Sequence, residues 1–253
     1  MHRLLLFGII ISMLGACTTE RVVVEPEDRE RASEINAQLG LGYMQHGQYE
    51  RALRKIKKAI EYNPENAHAY HYRAELYRRL REYDKAEENY KQSLDIDPKD
   101  ANTLNNYGIF LCDQGRYEEA YANFRTIIED PLYKYKADAY ENLGLCSYRQ
   151  GKLQQAEQAF ENALAINGKM SKSILKMAQL TYDRRQKAEA YSYFKRYLGL
   201  APHNAESLWL GILMETDRRN KNTVASYKVL LKGKFPASKE AKLLKQLEAE
   251  GKI

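Results

Sequence analysis

Three observations predict an all-α fold, a right-handed α-solenoid of about six helix-turn-helix repeats with a C-terminal capping helix. The first is a period of 34 residues, seen in Gly47, Arg81 and Gly115 and again in Gly151 and Arg185. The second is a small/large rhythm on that period. Ala52, Ala86, Ala120, Ala156 and Ala190 follow those markers, and Ile56, Tyr90, Phe124, Phe160 and Phe194 come one helical turn later. The third is punctuation by Pro64, Pro98, Pro202 and Pro236, which close four of the units. A unit this short cannot bury its own apolar face, so successive units stack and bury one another's. The result is a line of core with a concave face rather than an enclosed cavity, and such a face binds other proteins.

Before the repeats, the N-terminus reads as an address. Arg3 gives a positive start, and Leu4 to Met13 is an apolar stretch too short to span a bilayer, as in a secretory signal. Leu14-Gly15-Ala16-Cys17 resembles the bacterial lipobox. That resemblance implies cleavage before Cys17, a diacylglycerol thioether on its sulfur and acylation of the new amino terminus. Three acyl chains anchor a protein firmly, since two already suffice. Thr18 stands where an inner-membrane lipoprotein carries Asp, which points to the periplasmic face of the outer membrane. Residues 1–16 are expected to be the signal peptide, 17–31 the lipidated cysteine and a flexible tether containing Pro26, and 32–253 the repeat domain.

The small/large pattern on this period is the tetratricopeptide pattern. Its units are 33–66, 67–100, 101–136, 137–170, 171–204 and 205–238, followed by a cap over 239–253. The first carries Leu39-Gly40 with Tyr43, the second Ala74 with Tyr77, the third Tyr107-Gly108, the fourth Leu143-Gly144 and the fifth Met177-Ala178. Glycine or alanine there lets the paired helix approach closely. The third unit is longer than the period, and Pro131 makes its final connector irregular. Asn167-Gly168 is a helix stop. The sixth is the weakest, with Leu210-Gly211 displaced by one position and Val224 in the alanine column. Ala241, Leu244 and Leu247 give the charged last helix one apolar side, as a solenoid cap requires.

Nothing in the chain reads as an enzyme. The five histidines include one close pair, His68 and His71, which is expected to be solvated rather than metal-binding. No phosphate loop, nucleophile elbow or cofactor motif is present, so no cofactor, metal or small-molecule substrate is expected. The formal charge of +6 is spread without a long basic run, which gives no reason to expect nucleic acid. Cys112 and Cys146 lie on the first helices of neighbouring units, at unit positions 12 and 10. An oxidising periplasm leaves a disulfide open. Their different facings favour two separate small residues.

The first helix of each unit lines the concave face. The candidate binding residues are Leu41 and Met44 in the first unit, and His71, Glu75, Arg78 and Arg79 in the second. The third supplies Asn105, Asn106, Ile109 and Cys112, and the fourth Glu141, Asn142, Leu145 and Tyr148. Asn106 and Asn142 fall at the same unit position, where an amide can hold the backbone of an extended segment or serve the repeat itself. Leu41 and Met44 would offer an apolar anchor. The Lys-Asn-Asn-Lys-Arg set of carboxylate-clamp repeats is absent as a set, so acidic C-termini are not the expected ligand.

Three stretches resemble the PilF/PilW family of type IV pilus lipoproteins, the pilotins. They are Gln38-Leu39-Gly40-Leu41-Gly42-Tyr43, Leu104-Asn105-Asn106-Tyr107-Gly108 running on to Arg116-Tyr117-Glu118-Glu119-Ala120-Tyr121, and Ser207-Leu208-Trp209-Leu210-Gly211 with Ala225-Ser226-Tyr227. Tyr140-Glu141-Asn142-Leu143-Gly144-Leu145 adds to them. The resemblance covers nearly the whole chain, including the irregular third connector and the displaced sixth unit. It implies a monomeric outer-membrane lipoprotein that binds the type IV pilus secretin and promotes its localisation and multimerisation. A second reading is a periplasmic repeat scaffold lipoprotein that organises cell-wall or barrel-assembly proteins.

Overall fold

The computed structural model describes residues 25–252, and every regular element among them is α-helical. The signal peptide, Cys17 and the first part of the expected tether lie outside the described residues. Thirteen helices follow in order: α1 Pro26–Gln45, α2 Tyr49–Tyr62, α3 Ala67–Arg79, α4 Tyr83–Ile96, α5 Ala101–Asp113, α6 Tyr117–Glu129, α7 Lys136–Gln150, α8 Leu153–Ile166, α9 Ser171–Asp183, α10 Lys187–Leu198, α11 Ala205–Asp217, α12 Lys221–Lys234 and α13 Lys239–Ala249. No helix among the described residues is long and apolar enough to cross a membrane.

Consecutive helices pair, α1 with α2 through α11 with α12, and each odd helix also touches the next odd one, from α1·α3 to α11·α13. No even helix touches another even helix among the described residues. Odd helices therefore crowd together while even helices splay, so the stack curves with the odd helices on its inner side.

The marker column has a backbone cause. Gly47, Arg81, Gly115, Gly151, Arg185 and Arg219 all adopt positive φ, from 59° to 85°, in the tight turn inside each pair. This left-handed residue ends the odd helix and aims the even one back along it. Glycine adopts it freely, whereas arginine does so at a steric cost.

The small/large rhythm is close packing. A Cβ on Gly108 would lie 2.7 Å from the Phe124 ring, and one on Gly144 2.6 Å from the Phe160 ring. In the sixth pair, glycine and ring move together: the displaced Gly211 sits under Tyr227, where a Cβ would come within 2.6 Å. The slip read in the sequence is thus a compensated one. α13 closes the end, with Ala241 and Leu244 buried against Leu208, Ile212 and Leu231.

Two expectations are corrected. The tether does not extend to residue 31, because α1 starts at Pro26 with Glu27 and Asp28 in its first turn. A proline at the first helical position loses no hydrogen bond and has a pre-set φ, so it opens a helix as readily as it ends one. The cysteines are not separate: Cys112 on α5 and Cys146 on α7 form a disulfide with Cα atoms 5.8 Å apart. Adjacent helices are joined by residues that face each other, one forward and one back, so different unit positions are what the bond needs.

Candidate protein-binding face

The inner face is built from polar rungs between successive odd helices. From α1 to α3, Gln38 Nε2 donates to the Tyr72 hydroxyl at 3.3 Å, and His68 Nδ1 lies 3.6 Å from the Glu34 carboxylate. From α3 to α5, the Asn106 amide nitrogen meets His71 Nε2 at 2.9 Å. From α5 to α7, Asn142 donates to the Asn105 carbonyl at 2.8 Å. From α7 to α9, the Glu141 carboxylate accepts from the Ser173 amide at 3.0 Å and its hydroxyl at 2.9 Å. From α9 to α11, the Lys176 ammonium pairs with Glu206 while lying 4.5 Å from the centre of the Tyr148 ring.

Most of the expected binding residues are therefore committed to the scaffold. His71 is buried, and burial holds its imidazole below the ordinary value against the opposing pull of Asp100 and Glu75. A neutral ring is also what allows Nε2 to accept from Asn106. Burial pushes Glu75 up, but hydrogen bonds from Arg78 and Tyr90 outweigh it, and the carboxyl sits below its ordinary value. Arg78 grips Glu75 through Nε at 3.1 Å and a terminal nitrogen at 2.8 Å. Burial, followed by the Glu75 charge, drives the Tyr90 hydroxyl well above its normal range, so it remains a donor. The amides of Asn105, Asn106 and Asn142 are half-buried and spend one contact each on a rung. Each amide has more than one hydrogen-bonding atom, so these side chains still present polar groups to the face.

The apolar candidates divide. Ile109, Leu145 and Tyr148 are half-buried: Ile109 packs against the core around Phe110 and the disulfide, and Leu145 and Tyr148 against that around Phe160 and Met177, so each offers only part of its surface. Leu41 is half-buried at the first pair. Met44 is not a lining residue: it is 2% exposed and packed with Ala52, Ile56 and Leu76. The same position that carries half-buried Arg78 and Tyr148 elsewhere faces the next repeat, and an unbranched apolar side chain there turns into that interface. Apolar surface appears instead at Ile35, 52% exposed, and Leu39, 43% exposed. They lie one turn apart on the flank of α1, which has no earlier helix among the described residues to cover it. That i,i+4 pair on a first helix was the signal available in the sequence.

Comparison with known proteins fits this architecture. Tetratricopeptide repeat models match residues 38–101 and 100–169. The type IV pilus assembly protein PilF of Pseudomonas aeruginosa is 35% identical over 238 residues, which span 93% of this chain and 94% of that protein. The chain belongs to the PilF/PilW family of tetratricopeptide-repeat proteins. Solved structures agree. That of P. aeruginosa PilF superposes with a TM-score of 0.79 and 37% identity over 86% of this chain and 98% of its own. PilW, described as a widely conserved type IV pilus biogenesis factor, gives 0.73 and 32% over 84% and 97%. These two proteins thus share most of the solenoid with this chain, not a single repeat.

Proposed function

We propose that the protein is an outer-membrane lipoprotein of type IV pilus biogenesis, a pilotin. It grips a segment of the secretin monomer on its inner face and promotes delivery to, and multimerisation in, the outer membrane. The observation that carries this reading is the family membership along nearly the full chain. The physical logic supports it. A lipid on Cys17 would supply the address. The open inner face of half-buried amides and apolar side chains would supply the grip. Holding a secretin segment before insertion would shield strand edges that otherwise pair with one another. The apolar contact belongs to Ile35, Leu39 and Leu41 of the first pair rather than to Met44.

The test is the amount of detergent-resistant secretin multimer in outer membranes with the protein present, absent or carrying Cys17→Ser. Loss on deletion and mislocation with Cys17→Ser are expected. Unchanged multimers in all three would leave a general periplasmic scaffold as the reading. Leu39→Glu should cut secretin capture at unchanged helicity, whereas retained capture would move the contact elsewhere on the face.

A further inference from the structure

The net charge of this solenoid sits at one end. Residues 218–253 hold ten of the 40 basic side chains and three of the 34 acidic ones, a net +7 against +6 for the whole chain. Two of those acids are occupied internally: Glu240 is buried, and Glu248 is held by Lys228 at 3.5 Å and Lys232 at 2.6 Å. Arg219, Lys221, Lys234, Lys242 and Lys245 are exposed and have no carboxylate in ion-pair reach among the described residues.

This basic end also has a shape. At four successive junctions, one column of the even helices meets a cation in the turn of the next pair. Glu87 bonds Arg116 at 2.6 Å. The Tyr121 ring lies 5.2 Å from the Lys152 ammonium. Glu157 accepts from both terminal nitrogens of Arg184 at 2.5 Å. The Tyr191 ring lies 4.0 Å from the Arg218 guanidinium. The next residue in this column, 34 after Tyr191, is Ala225, and it is exposed. The side chain that closes the four preceding junctions is missing here. A notch of about 400 Å³ lies beside this position, lined by Thr216, Val224 and Ala225 with Arg219, Lys221 and Lys228 around them; the hollow of about 370 Å³ one repeat earlier has the Tyr191 ring and Arg218 on its wall, and here that ring is absent. Glu215, the acid on its wall, is buried and accepts from Asn220 at 2.9 Å. α13 borders the notch through Glu248, 3.5 Å from Lys228.

We propose that this notch is a docking site for an acidic protein segment that inserts an aromatic side chain beside Ala225. The ring would sit as Tyr191 does one repeat earlier, and its acidic neighbours would meet Arg219 and Lys221. Aromatic anchors in cation-rimmed pockets are a favoured way to hold a peptide. The site is at the far end of the stack from Ile35 and Leu39, and it stands whether or not the secretin is the partner.

The probe is the peptide acetyl-Asp-Glu-Tyr-Glu-Asp-amide, added at about millimolar concentration to the isotope-labelled full chain in detergent. Saturable shifts are expected at the Thr216, Val224 and Ala225 amides. Binding should weaken about tenfold when the peptide's Tyr becomes Ala or the protein carries Ala225→Tyr, and also with Lys221→Glu. Ala225→Tyr reproduces the residue found at Tyr191, so its melting midpoint should hold or rise, which separates a plugged notch from an unfolded one. Absent shifts, or shifts indifferent to Ala225→Tyr, would overturn the proposal. So would equal effects from phosphatidylglycerol vesicles spread over the α13 lysines, which would make this end a lipid-binding surface. Shifts at this notch that grow with protein concentration alone would do the same by assigning it to a second copy.

Discussion

His71 shows at the scale of one residue how this face trades binding capacity for order. Its ring is buried between α3 and α5, accepts from Asn106, and has Tyr72 and Tyr90 rings 5.5 and 6.4 Å away. Burial lowers its pKa, while Asp100 and Glu75 pull the other way and His68 adds to the lowering. The folded protein therefore resists protonation where the unfolded chain, with a histidine pKa of about 6.5, accepts a proton. The stability this neutral ring confers is complete above that unfolded value and declines as pH falls below it. His203, lowered by burial and then by Lys234, adds a slope of the same sign. Unfolding free energies from urea titrations should fall between about pH 7.5 and pH 5.5, by no more than about 1.4 kcal/mol per pH unit for each such group, and by less for the more exposed His203. His71→Gln, which retains an acceptor for Asn106, should flatten part of that fall. Equal slopes in the two proteins would show that the ring titrates freely. The sequence offered His71 as a solvated lining residue; the structure buries it, because its fate depended on Asn106, 35 residues away, and periodicity does not show what a neighbour will do.

The helices themselves were legible because the cues are local: a left-handed turn residue inside each pair, a small/large pair and, at some starts, a polar cap. Asp100 and Asn204 cap α5 and α11 with their own side chains. α9 has no side-chain cap of its own, since its N-cap position is Met170. The acceptor comes from another element: Glu141 on α7 reaches the Ser173 amide and hydroxyl. A residue read as part of a binding groove is thus a helix cap supplied across a repeat interface, and it is only 8% exposed. Glu141→Ala should cost about 1–2 kcal/mol, in the range of a lost cap. Amide exchange should quicken at Ser173 and its neighbours while the first pair is untouched. Glu141→Gln, which retains an acceptor oxygen, should recover part of the loss. If Glu141→Ala left exchange unchanged but weakened capture of a partner, the residue would belong to the binding face after all. The same limit explains Met44 and the cysteines: unit position gives a direction, and only the neighbouring helix decides whether that direction is solvent, core or a bond.

At the scale of the molecule, stability in a stack of repeats is a chain of neighbour interfaces, so the chain is only as cooperative as its weakest joint. The third joint is the irregular one. The connector from α6 to α7 runs over residues 130–135, against 63–66 and 97–100 at the two joints before it, and exposes Leu132 and Tyr135. The Cys112–Cys146 disulfide ties α5 to α7 across that same joint, at a sequence separation of 34 residues. Closing a loop of that length in the unfolded chain is worth about 3–4 kcal/mol by chain entropy. The bond therefore couples the N-terminal pairs to the C-terminal ones where regular packing is least continuous. The oxidised protein should unfold in one thermal transition. Reduction, or the double change Cys112→Ser with Cys146→Ser, should lower the midpoint and split the curve. The Asn105–Asn142 hydrogen bond and the contacts of Arg149 with Asp113 and with the residue 112 side chain would then be the polar ties between α5 and α7 among the described residues. Calorimetry on the oxidised, reduced and doubly substituted proteins makes the comparison. Coincident single transitions in all three would mean that helix packing alone couples the halves and that the disulfide adds no cooperativity.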